Sequence, residues 1–517
     1  MNSSDFKENS LLPVLDNSYP ISSTLNLTSI LQVGLIFIFN LIVGTGALAM
    51  PKAFGAAGWL LSVIIITILA LVSYITATFV IEAMAAANGI IKYRRKDKKR
   101  ELDETSSTSS SNTDPYIPDV ENDEKERLLS GNPINYSSVK AAKKHADYFE
   151  ITELVDMGQM ASLFFNRGGQ VLFYVCIIIY LYGDLAIYAV AVPLSLRNIT
   201  CTSSAGNLSD NDECWSGVSI SRMNAYRIYL AVFGVLLGIF VFFNVQKTKY
   251  LQIFTSLTRW LAFSVMIISA LIYISSGKSE GRPAIVGTFE SIPNFFGICV
   301  YAFMCHHSLP TLVTPVQPKR RLKSFLLGDY ILILAFYLLL SITAVFSFKQ
   351  ESIQDIYTLN FFGYEGRQVL PWVPLQYFVA LFPVFTLSTN FPIIGITLRN
   401  NLMALCLRQS RTYHWTIRRL VFPVLVLVPP LAIAFATTNV SLLVGITGSY
   451  AGAGIQYFIP VFLVYYARRK TERTMGKRWV QHQHMSRFRR KVWLVLILAW
   501  AVICVIFVTV DHILTGK

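Results

Sequence analysis

The sequence predicts an all-α polytopic membrane protein with eleven transmembrane helices, on three observations. Of its 517 residues, 53% are hydrophobic and only 15% are charged, whereas a soluble domain carries about 25%. Several apolar runs exceed about 18 residues, the length at which a run reads as a membrane helix. The basic residues cluster in patches that abut those runs, as orientation signals do. The net charge of +15 therefore reads as positive-inside charge, and no nucleic-acid partner is expected.

Residues 1–28 are polar, without the short apolar core and cleavage site of a signal peptide, and form a tail. The core runs from 29 to 511, with spans expected at 29–54, 57–88, 168–196, 226–245, 252–275, 290–315, 325–347, 368–397, 418–438, 440–466 and 492–511. Residues 512–517 remain as a second tail. Eleven spans place the termini on opposite sides. The basic runs Lys92–Arg100 and Lys319–Lys323, and the Arg468–Lys491 segment, share one side if the N-terminus is cytosolic. The C-terminus is then lumenal or extracellular.

The loop between spans three and four falls on that far side. It carries the glycosylation acceptors Asn198 and Asn207, and the pair Cys201 and Cys214, a plausible disulfide in an oxidising compartment. The other five cysteines lie in or beside spans and read as packed thiols. Residues 92–148 form one long cytosolic loop, rich in Ser, Thr and acids, with little apolar area to bury, and are expected to be disordered. Glu124, Leu128 and Leu129 within it make an acidic dileucine pattern. A clathrin adaptor reads such a pattern in an exposed cytosolic peptide, which points to an endolysosomal or plasma-membrane address.

The chemistry concentrates where spans one and six are interrupted. Span one holds Gly44-Thr45-Gly46 and Pro51; span six holds Gly297, then Tyr301 to His307, then Pro310. A helix is broken inside the membrane only where protein or a water-filled cavity receives its freed backbone groups. Paired breaks in two halves of a transporter mark its binding site. The two lie five spans apart, as an inverted repeat of five plus five requires, with span eleven extra. The N–H groups at Gly44 and Gly46 and the Thr45 hydroxyl suit a substrate carboxylate. Carbonyls near Tyr301, Ala302 and Phe303 suit an ammonium. A site for both groups fits an amino acid.

Asp184 lies mid-span, and Tyr180, Asp184 and Tyr188 recur at i, i+4 and i+8, so they share one helical face. A carboxylate there costs at least about 2.5–3.5 kcal/mol, so it is either a proton or cation relay or a hydrogen-bonded structural acid. His306 and His307 lie at the inner end of the second break, and one of them, His306 or its neighbour, is a candidate proton sensor. No nucleophile elbow, paired catalytic carboxylate or metal-ligand spacing occurs, so no enzyme, metal or cofactor is expected.

At these residues the sequence resembles the amino acid/auxin permease family of the amino acid–polyamine–organocation superfamily. The match lies in Asn40-Leu41 with Gly44, Gly46, Leu48 and Pro51, in Tyr301 through His306 with Leu309-Pro310, and in Leu443 through Ser449 with Pro460. His307-Ser308 departs from a Pro-Glu pair common after that histidine. The resemblance implies a LeuT-like fold and proton- or sodium-coupled symport of small amino acids. It also implies a sodium site from Thr386 and Thr389 in span eight with Asn40 and Val43 in span one. A sensor or scaffold with a transporter-like fold and little flux is the alternative reading.

Overall fold

The computed structural model describes residues 44–108, 148–201, 209–243, 249–316, 318–362, 369–407 and 413–515. The helices are α1 (Thr45–Ala57), α2 (Trp59–Thr108), α3 (Met157–Phe164), α4 (Arg167–Thr200), α5 (Arg222–Val241), α6 (Lys249–Ser275), α7 (Ile292–Ala302), α8 (Leu309–Val313), α9 (Leu322–Ser347), α10 (Val373–Cys406), α11 (Phe422–Ala436), α12 (Val440–Thr447), α13 (Ile459–Met475) and α14 (Lys491–Thr515). Between α4 and α5 lies a two-stranded antiparallel hairpin, β1 (Glu213–Trp215) and β2 (Val218–Ser221). Among the described residues nine helical segments are long and apolar enough to cross a membrane. The other two expected spans do not qualify for stated reasons. Span one is described only from Gly44, and span six is split into α7 and α8 by residues 303–308.

Several boundaries move. α2 continues to Thr108, so residues 92–108 belong to a helix and not to the expected disordered loop. Its Lys, Arg and Glu are good helix formers, and the helix inherits its nucleus from the apolar span. α14 runs to Thr515 through most of the expected 512–517 tail. At the other end of the loop, Phe149 is buried, stacked on His482 at 4.5 Å.

Close helix contacts are made at small residues. A Cβ added to Gly297 of α7 would stand 2.1 Å from the Gly445 carbonyl oxygen of α12, and one on Gly448 would stand 1.9 Å from the Gly297 oxygen. These glycines let α7 lie backbone to backbone against α12, the close approach that holds membrane helices together. Two π-turns, Gly448–Gly452 and Gly454–Phe458, link α12 to α13.

The two ends of the bundle are closed differently. At the hairpin end, the disulfide Cys201–Cys214 and the Arg197–Asp210 pair at 2.8 Å bind the loop to α4. There Trp59 N–H donates to Ala284 O at 3.0 Å and Gly287 N–H to Ala57 O at 3.0 Å. Gly58 joins α1 to α2 with φ of 88° and with Gly287 N 2.4 Å from where a Cβ would be, so only glycine fits on both counts. Lys52 of α1 pairs with Asp355 at 2.8 Å, and Gln350 Nε2 donates to Lys52 O at 2.8 Å.

At the opposite, basic end the segment 476–490 folds back against the bundle. Glu82 of α2, 1% exposed, accepts from Arg468 Nε at 2.6 Å and Nη2 at 2.9 Å, and from the Ser486 N–H at 2.8 Å. Thr78 and Ser486 share a hydrogen bond of 2.8 Å. Lys323 donates to Gln483 O and Met485 O. His484 is buried here, and desolvation, aided by Lys323 and Lys319, pushes its pKa down to about 4.

Two outcomes follow from this end of the bundle. Removing the Glu82 charge strands a guanidinium mostly out of water. Glu82→Gln is expected to lower stability by about 3 kcal/mol, read as a fall in the thermal midpoint in detergent, and Glu82→Met with Arg468→Leu to recover much of the loss. For His484 the folded pKa lies below the unfolded value of 6.5. The unfolded chain therefore takes up a proton that the folded chain refuses, and stability falls as pH drops from about 6.5 toward 4. His484→Gln is expected to flatten that part of the midpoint–pH curve.

Candidate functional site

α1 begins at Thr45 with Gly44 as its N-cap, and α7 ends at Ala302. The two termini meet. A Cβ on Gly46 would stand 2.7 Å from Ala302 Cα, whereas one on Gly44 would meet nothing within 4 Å among the described residues. Gly44 has φ of −114°, which other residues adopt readily, so the glycine requirement at this junction is one of space at Gly46. The open side of Gly44 faces a cavity of about 330 Å³.

The cavity is lined by Gly44, Thr45 and Gly46 from α1, by Tyr180, Asp184 and Tyr188 from α4, by Tyr301, Met304 and His307 around the second break, and by Arg259 from α6. It continues along Thr311 and Leu312 of α8 and along Asn390 and Thr397 of α10, toward the basic end. The i, i+4, i+8 face read from the sequence thus forms one wall.

Three helices are tied together by a chain of hydrogen bonds at its centre. Thr45 Oγ1 lies 3.0 Å from Tyr301 OH, and Tyr301 OH donates to Asp184 Oδ1. A phenol has one proton. While Tyr301 gives it to Asp184, Thr45 is the donor in the other bond. Asp184 is 5% exposed. His307 stands at the same wall, its ring 5.5 Å from that of Tyr180.

Other expected site residues are placed elsewhere. His306 is fully buried and turned to α2, with Nε2 2.9 Å from Thr76 Oγ1; its neighbour His307 is the one in the cavity. Ala302 O accepts from Tyr337 OH at 2.9 Å, and Phe303 stacks on Tyr330, so both face α9. Thr386 and Thr389 donate to carbonyls of their own helix, Phe382 O at 2.9 Å and Thr386 O at 2.9 Å, and neither lines the cavity. Asn40 and Val43 lie outside the described residues, as do Asn207 and the sorting-pattern residues Glu124, Leu128 and Leu129. Asn198 sits in the last turn of α4, its side-chain oxygen accepting from Arg197 and Arg222.

Sequence reasoning passed over Arg259. It is 3% exposed and lies within electrostatic reach of Tyr188 and Tyr337. The signal was available: a lone Arg in the middle of an apolar span is a functional candidate by default. With Arg259 on one wall and Asp184 on another, the cavity presents a fixed positive charge, a carboxyl group and a helix N-terminus.

Residues 28–99 and 135–507 match the family model described as transmembrane amino acid transporter protein. The chain is 52% identical to human transmembrane protein 104 over 498 residues, covering 93% of this chain and 96% of that one. It is 44% identical over 501 residues to the Drosophila melanogaster homolog. To the Dictyostelium discoideum homolog it is 34% identical over 514 residues, covering 94% and 97% of the two chains. The chain belongs to the transmembrane amino acid transporter family, as its break motifs anticipated.

The two glycines of the first break are expected to separate by substitution. Gly46→Ala forces α1 and α7 apart and lowers stability by about 1–3 kcal/mol. Gly44→Ala, pointing into open space, stays within about 0.5 kcal/mol of the wild type. Thermal unfolding of the two purified variants side by side reads the difference.

Proposed function

We propose that the protein is a secondary active transporter of small amino acids that works by alternating access with proton coupling. The observation that carries this reading is the cavity where two interrupted spans meet, with the Thr45–Tyr301–Asp184 chain at its centre. Its volume is at the small end of the range for ligand pockets, a size suited to an amino acid. The N–H groups at the start of α1 and the Arg259 guanidinium suit the substrate carboxylate, and Asp184 and the phenols suit its ammonium. The family's printed description supports the substrate class.

In this reading the described segments complete eleven spans in a LeuT-like five-plus-five inverted repeat with one extra helix. The basic end is cytosolic, and the hairpin with its disulfide is lumenal or extracellular. The cavity then belongs to a state open toward the cytosol, with the far side shut by Lys52–Asp355 and by the backbone bonds from residues 57–60 to residues 284–287. Outward opening requires those contacts to part.

Proton coupling has a direct route through the central chain. With Asp184 ionised, Tyr301 donates to it and Thr45 donates to Tyr301. With Asp184 protonated, the carboxylic acid can donate to Tyr301, the phenol to Thr45, and the Thr45 hydroxyl is released toward the cavity. The proton at Asp184 thereby changes what the first break offers to a ligand.

Counterflow in proteoliposomes tests the proposal, because exchange requires binding and alternating access but no net driving force. A panel of labelled L-amino acids is expected to include members that exchange. Exchange is expected to vanish in Gly46→Val and to lose part of its dependence on pH in Asp184→Asn. No exchange of any amino acid by well-folded protein, with or without sodium, would overturn the reading.

A further inference from the structure

α9 turns one face toward the second break. Leu326, Tyr330, Ile333, Tyr337 and Leu340 recur at intervals of three and four, Asp329 lies one turn from both Leu326 and Ile333, and each of the six is 3% exposed or less. Tyr337 holds Ala302 O and Tyr330 OH lies 3.3 Å from Cys305 Sγ, so this face backs the break from the side opposite the cavity. Among those positions Asp329 is the anomaly, a carboxyl in the part of the face that should carry a leucine or valine.

Among the described residues no cation or hydrogen-bond donor is directed at its Oδ2. Oδ2 is buried without a hydrogen-bond partner. Within electrostatic reach stand the Cys305 thiol and the Tyr330 phenol, both neutral. The described cations of the packed elements are directed elsewhere, and Arg487 lies within electrostatic reach of Tyr74 and Lys323. Lys323, lower on α9, donates to the 483 and 485 carbonyls. Arg259 of α6 faces Tyr188 and Tyr337, and Lys52 of α1 pairs with Asp355. On α2, Tyr74 donates to Lys323 O and Thr76 meets the His306 ring. His484 belongs to the segment that covers the basic end. The contrast with Glu82 is direct, since both oxygens of that carboxylate are bonded and a guanidinium neutralises it.

A carboxylate left without cation or donor inside a membrane protein costs several kcal/mol, and the neutral acid is the affordable form. A thiol and a phenol are poor partners for a hard metal cation, which takes several oxygens. The cation that fits is a proton. Cys305 belongs to the broken segment, so any movement of the break against α9 changes the wetting of Asp329.

We propose that Asp329 is a second proton-binding site of the transport cycle, loaded while the break is sealed against α9 and emptied when the two separate. On emptying, the carboxyl O–H bond breaks heterolytically, the carboxylate stays on α9 and the proton passes to water at the basic end. The idea rests on the transport reading above, but its first readout does not require transport.

The full-length protein in lipid nanodiscs is followed by infrared difference spectroscopy through a pH titration, watching the stretch of protonated carboxyl groups. Asp329→Asn is expected to remove one component of that band and Asp184→Asn a different one, while Asp329→Glu restores a shifted band and shows that the site tolerates an acid. An unchanged band in Asp329→Asn overturns the proposal. In proteoliposomes, Asp329→Asn is expected to keep counterflow of the amino acid that the wild type exchanges best. Its accumulation driven by a proton gradient should fall to the level of protein-free liposomes. Gradient-driven accumulation at the wild-type rate would also overturn the proposal. Absence of all exchange in the wild type would instead refute the amino acid reading, and the infrared titration would still decide whether Asp329 carries a proton.

Discussion

Everything at the centre of this molecule depends on one constraint: a helix interrupted inside hydrocarbon must find partners for the backbone groups it frees. At the second break those partners are local and interhelical at once. Phe303 N–H returns to Cys299 O, Met304 to Tyr301 O, Ser308 to Cys305 O and Leu309 to His306 O. Tyr337 reaches across from α9 to Ala302 O. The short helix beyond the break ends on a cation, with Lys319 Nζ donating to Val313 O at 2.8 Å and Thr314 O at 2.6 Å. Such a cap both bonds the free carbonyls and opposes the negative end of the helix dipole. The break is therefore held by α9 on one side and by the cavity wall on the other. A ligand in the cavity and a change at α9 act on the same six residues.

The same constraint explains what the sequence disclosed and what it concealed. Regular helix carries its own register, so Tyr180, Asp184 and Tyr188 could be placed on one face by counting, and the structure puts all three on one wall. Gly44-Thr45-Gly46 announced a break because glycine is expensive in a helix and cheap where backbones touch. The unwound stretch has no such register. A single step along it turns a side chain from α2 to the cavity, so counting could not tell which of His306 and His307 faces the cavity. Thr386 and Thr389 each donate to a carbonyl of α10, a bond that leaves the oxygen lone pairs free, and their expected partners Asn40 and Val43 lie outside the described residues. The helical stretch from Lys92 to Thr108 was hidden for the opposite reason. Composition marked it as too polar to pack, but a helix already nucleated in the membrane needs no packing to continue.

The ionisable groups inside the bundle are treated in three distinct ways, and the differences separate structure from function. Glu82 and Arg468 form a satisfied pair whose geometry leaves neither partner anything to gain from a new ligand. Asp184 is partly satisfied. It takes one phenol proton and keeps its carboxyl group in a cavity that Arg259 also lines. Asp329 is buried with an oxygen unserved, at the back of the break. A buried group that is fully bonded resists change in charge, because each bond would have to be given up. A group with spare capacity is the one whose protonation can follow a conformational change at low cost. On that ordering Glu82 is a fastener, whereas Asp184 and Asp329 are carboxyl groups with bonding capacity to spare, one on each side of the same unwound backbone.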